Sequence, residues 1–265
     1  MKISLSVDHK LCKKCSSCIL ECPFELISED DEGFPQLRKA AARMCIRCGH
    51  CMAVCSADAL DISISPLEVS STVDRTLLPS PESVKHFLAS RRSIRTYKKK
   101  SADHSILENI LAVSCYAPSA HNKQPVHWIM VENPGEVQRL AGLVVDYMAE
   151  IKVFPGLLRA WDQGIDKVLR GAPHLVIAHA DPKFSEHPME DCTLATAYLD
   201  LAANSYGMGS CWAGFLVQAA AKYQPLIEAL NLPEGHEVYT ALMLGYPKFR
   251  YHHIPQRDKP KVTWK

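Results

Sequence analysis

Cys12, Cys15, Cys18 and Cys22 are followed 33 residues later by Cys45, Cys48, Cys51 and Cys55, so one spacing, C-x2-C-x2-C-x3-C, occurs twice. Three thiols of each run fall on one tight loop, and the fourth, a short helical step later, faces the loop of the other run. The pattern predicts two [4Fe-4S] clusters with exchanged fourth ligands. Cys12, Cys15, Cys18 and Cys55 would hold one; Cys45, Cys48, Cys51 and Cys22 would hold the other. Zinc is the competing reading of paired cysteines, but a tetrahedral zinc takes two such pairs and would leave a third cysteine of each triplet over. Disulfides are disfavoured by the reducing compartment that thiolate-ligated clusters require.

Across roughly residues 1–65 this arrangement resembles the bacterial two-cluster ferredoxins, and Pro23 after Cys22 matches their usual Cys-Pro. The second run has Ser56 in that place. Proline only stiffens the turn after the last ligand, so the departure concerns the local backbone and not the ligand. Between the runs, the acidic stretch 29–32 with Gly33 predicts a hairpin tip. Residues 66–82, proline-bearing and weakly periodic, read as a linker. The domain plan is therefore 1–65, a linker 66–82, and a larger domain 83–265.

With 265 residues and 47% hydrophobic content the chain can fill a real core. Thirty basic against 29 acidic residues, a net charge of +1, exclude any call for nucleic acid or a membrane surface. No apolar run approaches the ~18 residues of a membrane span, and residues 1–11 lack the apolar core of a signal peptide, so a cytoplasmic location is expected. Cys115 and Cys192, in apolar helical patterns, are expected as small core residues.

In the larger domain Ser80 can cap a helix that has Pro81 at its first position and carries Val84, Phe87 and Leu88 on one face. Ile106, Leu107, Ile110, Leu111 and Val113 mark a second helix, stopped by Pro118. Residues 126–131 predict a strand, Asn133 and Pro134 open a helix to about Glu150, and 175–178 a buried strand. A helix over 194–206 closes at Gly207, and 238–244 is the last strong strand. Alternating strands and helices suggest by general rule a parallel α/β sheet.

Four separated segments carry chemistry. Arg91, Arg92, Ser93 and Arg95 form a guanidinium and hydroxyl cluster suited to a phosphate, although a solvated basic stretch would look similar. Residues 117–125 concentrate amides and hydroxyls in a turn between helix and strand. In 207–215 glycines permit close backbone approach and apolar side chains can wall an aromatic ligand. Gly245, Tyr246 and Pro247 are followed by Arg257, which could return a positive charge to the phosphate. In this order the segments resemble the nitroreductase family of FMN-dependent oxidoreductases over roughly residues 83–265.

The resemblance implies an α+β fold: the small ferredoxin-like domain, then a mixed central sheet flanked by helices. It also implies FMN held by Arg91, Ser93 and Arg257 at the phosphate, with Arg92 and Arg95 nearby. Pro118, Ser119, Asn122 and Gln124 would meet the ribityl chain and pyrimidine edge. Cys211 and Trp212 would line the ring, and an N–H around Ala213 and Gly214 would face N5. The family's active unit is a homodimer that builds each site from both subunits. Some members carry a glutamate where Ala213 stands, and no role for that carboxylate transfers. His121 is a candidate proton donor, although a structural part in its loop is the favoured reading. Residues 153–169, with Phe154, Leu157, Leu158 and Trp161, could cover a substrate or form a core helix.

Joined, the halves predict an oxidoreductase. It would pass electrons from a low-potential donor such as a ferredoxin or flavodoxin, through the clusters and FMN, to a small organic acceptor: a nitroaromatic, quinone or activated alkene. The alternative is an electron carrier or redox sensor that docks on a protein and has no small substrate.

Overall fold

The computed structural model of the protein describes residues 3–64 and 66–265. The chain forms two compact units, Met1–Leu78 and Pro79–Lys265. Met1 and Ser65, the expected ends of the first domain, lie outside the described residues.

The first unit contains β1 (Leu5–Val7), α1 (Ser17–Leu20), β2 (Ile27–Glu29), β3 (Pro35–Leu37), α2 (Ala41–Met44), α3 (His50–Ala53) and β4 (Leu60–Ile62). β1 pairs antiparallel with β4, and β2 with β3. The expected hairpin tip is present: Asp30 N–H donates to Phe34 O, the Asp30 carboxylate accepts from the N–H of Glu32 and Phe34, and Gly33 takes a φ of 81°. The duplication reaches the backbone. Lys14 and Arg47, Ser16 and Gly49, Glu25 and Asp58 are all left-handed, each pair occupying equivalent places in the two runs. A loop that must aim three sulfurs inward needs these reversals, which only glycine adopts freely. Ser56 leaves the turn unaltered, since Glu25 N–H reaches Cys22 O as Asp58 N–H reaches Cys55 O.

Residues 66–78 carry two short 3-10 turns, Leu67–Val69 and Arg75–Leu77, and remain mostly exposed. The second unit then builds α4 (Pro81–Ser90), α5 (His104–Ser114), β5 (His127–Val131), α6 (Pro134–Glu150), α7 (Pro155–Asp162), β6 (His174–Ala180), α8 (Pro188–Ser205), β7 (Gly209–Trp212), α9 (Gly214–Ala220), α10 (Gln224–Leu230) and β8 (Glu237–Gly245). The Ser80 hydroxyl accepts from Ser83 N–H, and Asn133 caps α6 in the same way; Pro81 and Pro134 fit the helix starts because an N–H there has no partner within the helix to lose.

The strands lie in the order β5-β6-β8-β7. Successive side chains point to opposite faces, so Leu175, Ile177, Ala241 and Met243 join one core with α6, α9 and α10. Val176, Leu242 and Leu244 join another with α5 and α8. Every residue of β6 is buried because helices cover both faces, giving three layers.

The α+β class is as expected. Within the sheet, however, every described pairing is antiparallel, where the resemblance implied a mixed sheet and the alternation of elements a parallel one. The connections explain this. Two helices, α6 and α7, return the chain to the end where β5 stopped, and α9 with α10 do the same between β7 and β8. The single-helix crossover by α8 does join strands of like direction, but β8 inserts between them. α8 also starts at Pro188, a turn and a half ahead of the apolar pattern. Cys192 is buried as expected, whereas Cys115, at the C-cap of α5, is exposed because Ser114 takes the inward place. Leu157, Leu158 and Trp161 pack against the core, which favours the core-helix reading of that stretch.

Two buried histidines are expected to make the second unit acid-sensitive. His174 accepts from Ala102 N–H at 2.8 Å through Nε2 and donates from Nδ1 to Glu132 O at 3.0 Å, a pairing open only to the neutral ring. Burial holds its pKa below the ordinary value. His179, at a bulge in β6, has Nδ1 2.9 Å from His236 Nδ1, and burial with the neighbouring His236 and His127 lowers it to about 4. Above pH ~6.5 neither folded nor unfolded chain protonates this ring; between there and about 4 only the unfolded chain does. Stability should therefore fall as pH drops through that window, with His179 contributing about 3 kcal/mol. Unfolding midpoints measured from pH 7 to 4 should show a shallower decline in His179→Gln than in the parent.

Candidate functional site

Two cavities in the first unit collect the cysteines. One is lined by Cys12, Cys15, Cys18 and Cys55, the other by Cys22, Cys45, Cys48 and Cys51. Each therefore takes three thiols from one run and the fourth from the other. α1 and α3 supply that step, since each places the last thiol of its run one short helix beyond the loop. Among the described residues no group of three or more His, Cys, Asp or Glu is drawn tightly enough to hold a single metal ion. The wider four-thiol linings fit a multi-atom centre. Burial pushes the Cys51 thiol up to about 11 and raises Cys18, so these groups keep their protons at neutral pH unless a cationic centre displaces them.

In the second unit the segment after α4 is laced to the sheet. Ile94 N–H donates to Ser210 O (2.8 Å), Lys98 N–H to Tyr246 O (2.8 Å) and Lys248 N–H to Thr96 O (3.0 Å). Tyr97 forms a bridge with Pro247, and its hydroxyl donates to Ile94 O at 2.8 Å. This lacing puts Arg91 and Arg92 on the wall of a cavity of about 530 Å³ shared with Lys98, Asp200, Ser210 and Arg250. Arg91 Nη1 lies 3.5 Å from the Asp200 carboxylate, which also accepts from the Ser210 hydroxyl. Arg92 donates from Nη1 to Ala89 O and Arg91 O, while its Nε and Nη2 are buried without a partner. Buried guanidinium donors left open are costly unless an anion meets them. Arg92 thus fits a phosphate ligand.

A smaller cavity of about 130 Å³ is lined by Pro118, Ser119 and Gln124 with Trp128 and Asp191. Its loop is built from left-handed residues: His121, Asn122 and Gln124 have φ of 51°, 52° and 46°. Side chains hold it. Ser119 accepts from Gln124 N–H, Gln124 donates to Asn122 Oδ1, and the buried Asp191 accepts from Ala120 N–H and the Ser185 hydroxyl. His121 is exposed on this loop, outside both linings. Asp191 and Asp200 both belong to α8, nine residues or about 14 Å apart along its axis, so the one helix lines both cavities.

The remaining expected residues lie elsewhere. Cys211 is buried and Trp212 half-exposed at the end of β7. Ala213 N–H is already given to Ala241 O at 2.8 Å. Gly214 opens α9, where the first helical N–H groups have no partner inside the helix. Ser93 and Arg95 flank Arg92 without lining its cavity, and Arg257 is exposed in a C-terminal stretch free of helix and strand. Sequence reasoning missed Asp200 and Ser210. The signal for Asp200 was available, as an acid breaking an apolar helical run between Leu199 and Leu201.

Comparison with known proteins adds two family matches: the Nitroreductase family over residues 88–246 and a 4Fe-4S dicluster domain over residues 11–60. An NADH dehydrogenase/NAD(P)H nitroreductase of Archaeoglobus fulgidus is 33% identical over 162 residues, covering 60% of this chain and 82% of its own. A nitroreductase with bound FMN from Desulfitobacterium hafniense matches 70% of this chain and 100% of its own at 25% identity, with a TM-score of 0.59. Another with bound FMN, from Bacteroides fragilis, matches 68% and 98% at 26% identity, with a TM-score of 0.57.

The large cavity depends on a close backbone approach. A Cβ at Gly209 would lie 2.1 Å from Ile94 Cγ1, whereas one at Gly214 would meet nothing within 4 Å. Gly209→Ala should lower stability by about 1–3 kcal/mol through overpacking. Gly214→Ala should leave it nearly unchanged. Thermal unfolding of the two variants beside the parent checks the contrast.

Proposed function

The chain belongs to the nitroreductase family, and we propose that it passes electrons from a low-potential donor through two [4Fe-4S] clusters and FMN to a small organic acceptor. The family and the dicluster domain together make it an oxidoreductase. The observation that carries the finer reading is the exchange of cysteines between the two cavities, which supports two four-iron sites in one small unit. When bound, such clusters carry single electrons, and FMN collects two for transfer to an acceptor.

Arg91 and Arg92 are our candidates for the FMN phosphate; Ser93, Arg95 and Arg257, which do not line that cavity, are proposed for the same ligand on the family resemblance. The two unpartnered nitrogens of Arg92 and a cavity of about 530 Å³ support this. Asp200 would orient Arg91 by holding one side of its guanidinium. Cys211 and Trp212 would wall the ring. The Gly214 N–H would face N5, because Ala213 has spent its own on the sheet. Pro118, Ser119, Asn122 and Gln124 would serve the ribityl chain and pyrimidine edge. As the family resemblance implies a homodimer, that loop would come from the partner chain. For His121, on that same exposed loop and outside both linings, a structural part in the loop is the favoured reading and proton donation the alternative. Ferredoxin, flavodoxin or a similar protein is the proposed donor, and a nitroaromatic, quinone or activated alkene the proposed acceptor, in a cytoplasmic setting. Among the described residues no helix is long and apolar enough to cross a membrane.

Two measurements test the reading. Arg91→Glu should lose FMN on dilution, since about 2–4 kcal/mol of charged hydrogen bonding is removed and repulsion added. Full retention at low FMN would remove Arg91 from the phosphate site. In anaerobic turnover with a quinone or nitroaromatic, reduced ferredoxin or viologen should outperform NADH and NADPH. Turnover by NAD(P)H alone would take the clusters off the electron path, and reduction without turnover of any small acceptor would favour the electron-carrier reading.

A further inference from the structure

The two cysteine cavities are chemically unlike. On the first, Lys13 and Lys14 stand beside the thiols, Cys15 is exposed, and the Ser17 hydroxyl lies 3.3 Å from Cys15 Sγ. Lys14 is anchored at this rim. Its ammonium donates to Glu32 O at 2.5 Å and sits 4.0 Å over the Phe34 ring, which itself stacks on His9. The acids of the neighbouring hairpin, Glu29, Asp30, Asp31 and Glu32, are not part of the lining, and Glu29 accepts from Ser16 at 2.7 Å. The second cavity is walled mainly by Phe24, Ile27, Leu37, Ile46, Ile62 and Ile64, with His50 its one side chain able to carry positive charge, and its sulfur contact is Leu26 N–H to Cys22 Sγ at 3.3 Å. In the duplicated runs Ile46 occupies the place of Lys13, and Arg47, which matches Lys14, is not on the lining.

Resting on the two-cluster reading, we infer that the cluster held by Cys12, Cys15, Cys18 and Cys55 has the higher reduction potential of the pair, and that Lys13 and Lys14 act as positioning residues that set the difference. Reduction adds one electron, drawn from a low-potential reductant, to a four-thiolate cluster and makes or breaks no bond. The site thereby gains one negative charge. Cations on the wall, solvent exposure and hydrogen bonds to sulfur stabilise that charge. A mainly apolar wall without lysine does so less. The first electron therefore rests on the lysine-rimmed site.

An anaerobic potentiometric titration of the full chain, followed by the electron paramagnetic resonance of the reduced clusters, tests this. The parent should carry about eight irons, as two four-iron clusters require. It should reduce in two steps separated by at least tenfold in equilibrium constant, about 59 mV for one electron. Lys13→Met/Lys14→Met should lower the upper step and leave the lower one in place. Cys15→Ala should remove the upper step; should that variant fail to accumulate, Cys48→Ala should remove the lower. Loss of the lower step in Cys15→Ala, of the upper in Cys48→Ala, or equal movement of both steps or none in the lysine variant would overturn the inference alone. About four irons in the parent would overturn the two-cluster reading and this inference with it.

Discussion

The larger unit depends on how closely one non-strand segment can approach its sheet. Residues 94–98 hydrogen-bond along β7 and past the end of β8, so they extend the sheet without being a long strand themselves. That proximity exists because Gly209 and Gly245 have no side chains. A Cβ at either would press into Ile94 or into Pro173 and Tyr97. Arg91 and Arg92, at the head of the laced segment, are thereby fixed against α8. Their cavity is a by-product of backbone contact.

α8 carries the polar counterpart of this arrangement. It crosses the sheet with an apolar face toward Leu242 and Leu244, yet buries Asp191 near one end and Asp200 near the other. Neither acid is stranded. Asp191 accepts from a loop N–H and a serine, and Asp200 meets a guanidinium and a serine, as buried carboxylates require. One helix thus braces two ligand-suited regions, and each acid holds a segment distant in sequence.

Much of this was legible before any coordinates. Fixed cysteine spacing dictated which thiols converge, and the helix over 134–150 could be read from Asn133, Pro134 and its apolar stripe because cap chemistry and periodicity are local. Strand direction was not local. β6 and β8 are buried on both faces and show no alternation, so their sequences carry no trace of whether a neighbour runs parallel or antiparallel. The number of helices between strands decided it, and α9 and α10, seven residues each, are too short to announce themselves by period. Arg91 and Arg92 were found from their charge, but that Arg92 has two buried nitrogens without partners, and that Ala213 has already donated its N–H to Ala241, depend on how the chain folds back on itself.

The exchanged cysteines have a consequence for how such a chain can change. A loop that owned all its ligands could lengthen or vanish without disturbing its neighbour. Here Cys22 and Cys55 each line the cavity of the opposite run, so an insertion or deletion in one half would displace a thiol in both. The two halves are therefore bound to a common evolutionary fate. Side chains such as Lys13 and Ile46 are free to diverge, while the spacing and the paired left-handed turns beneath them are held in step.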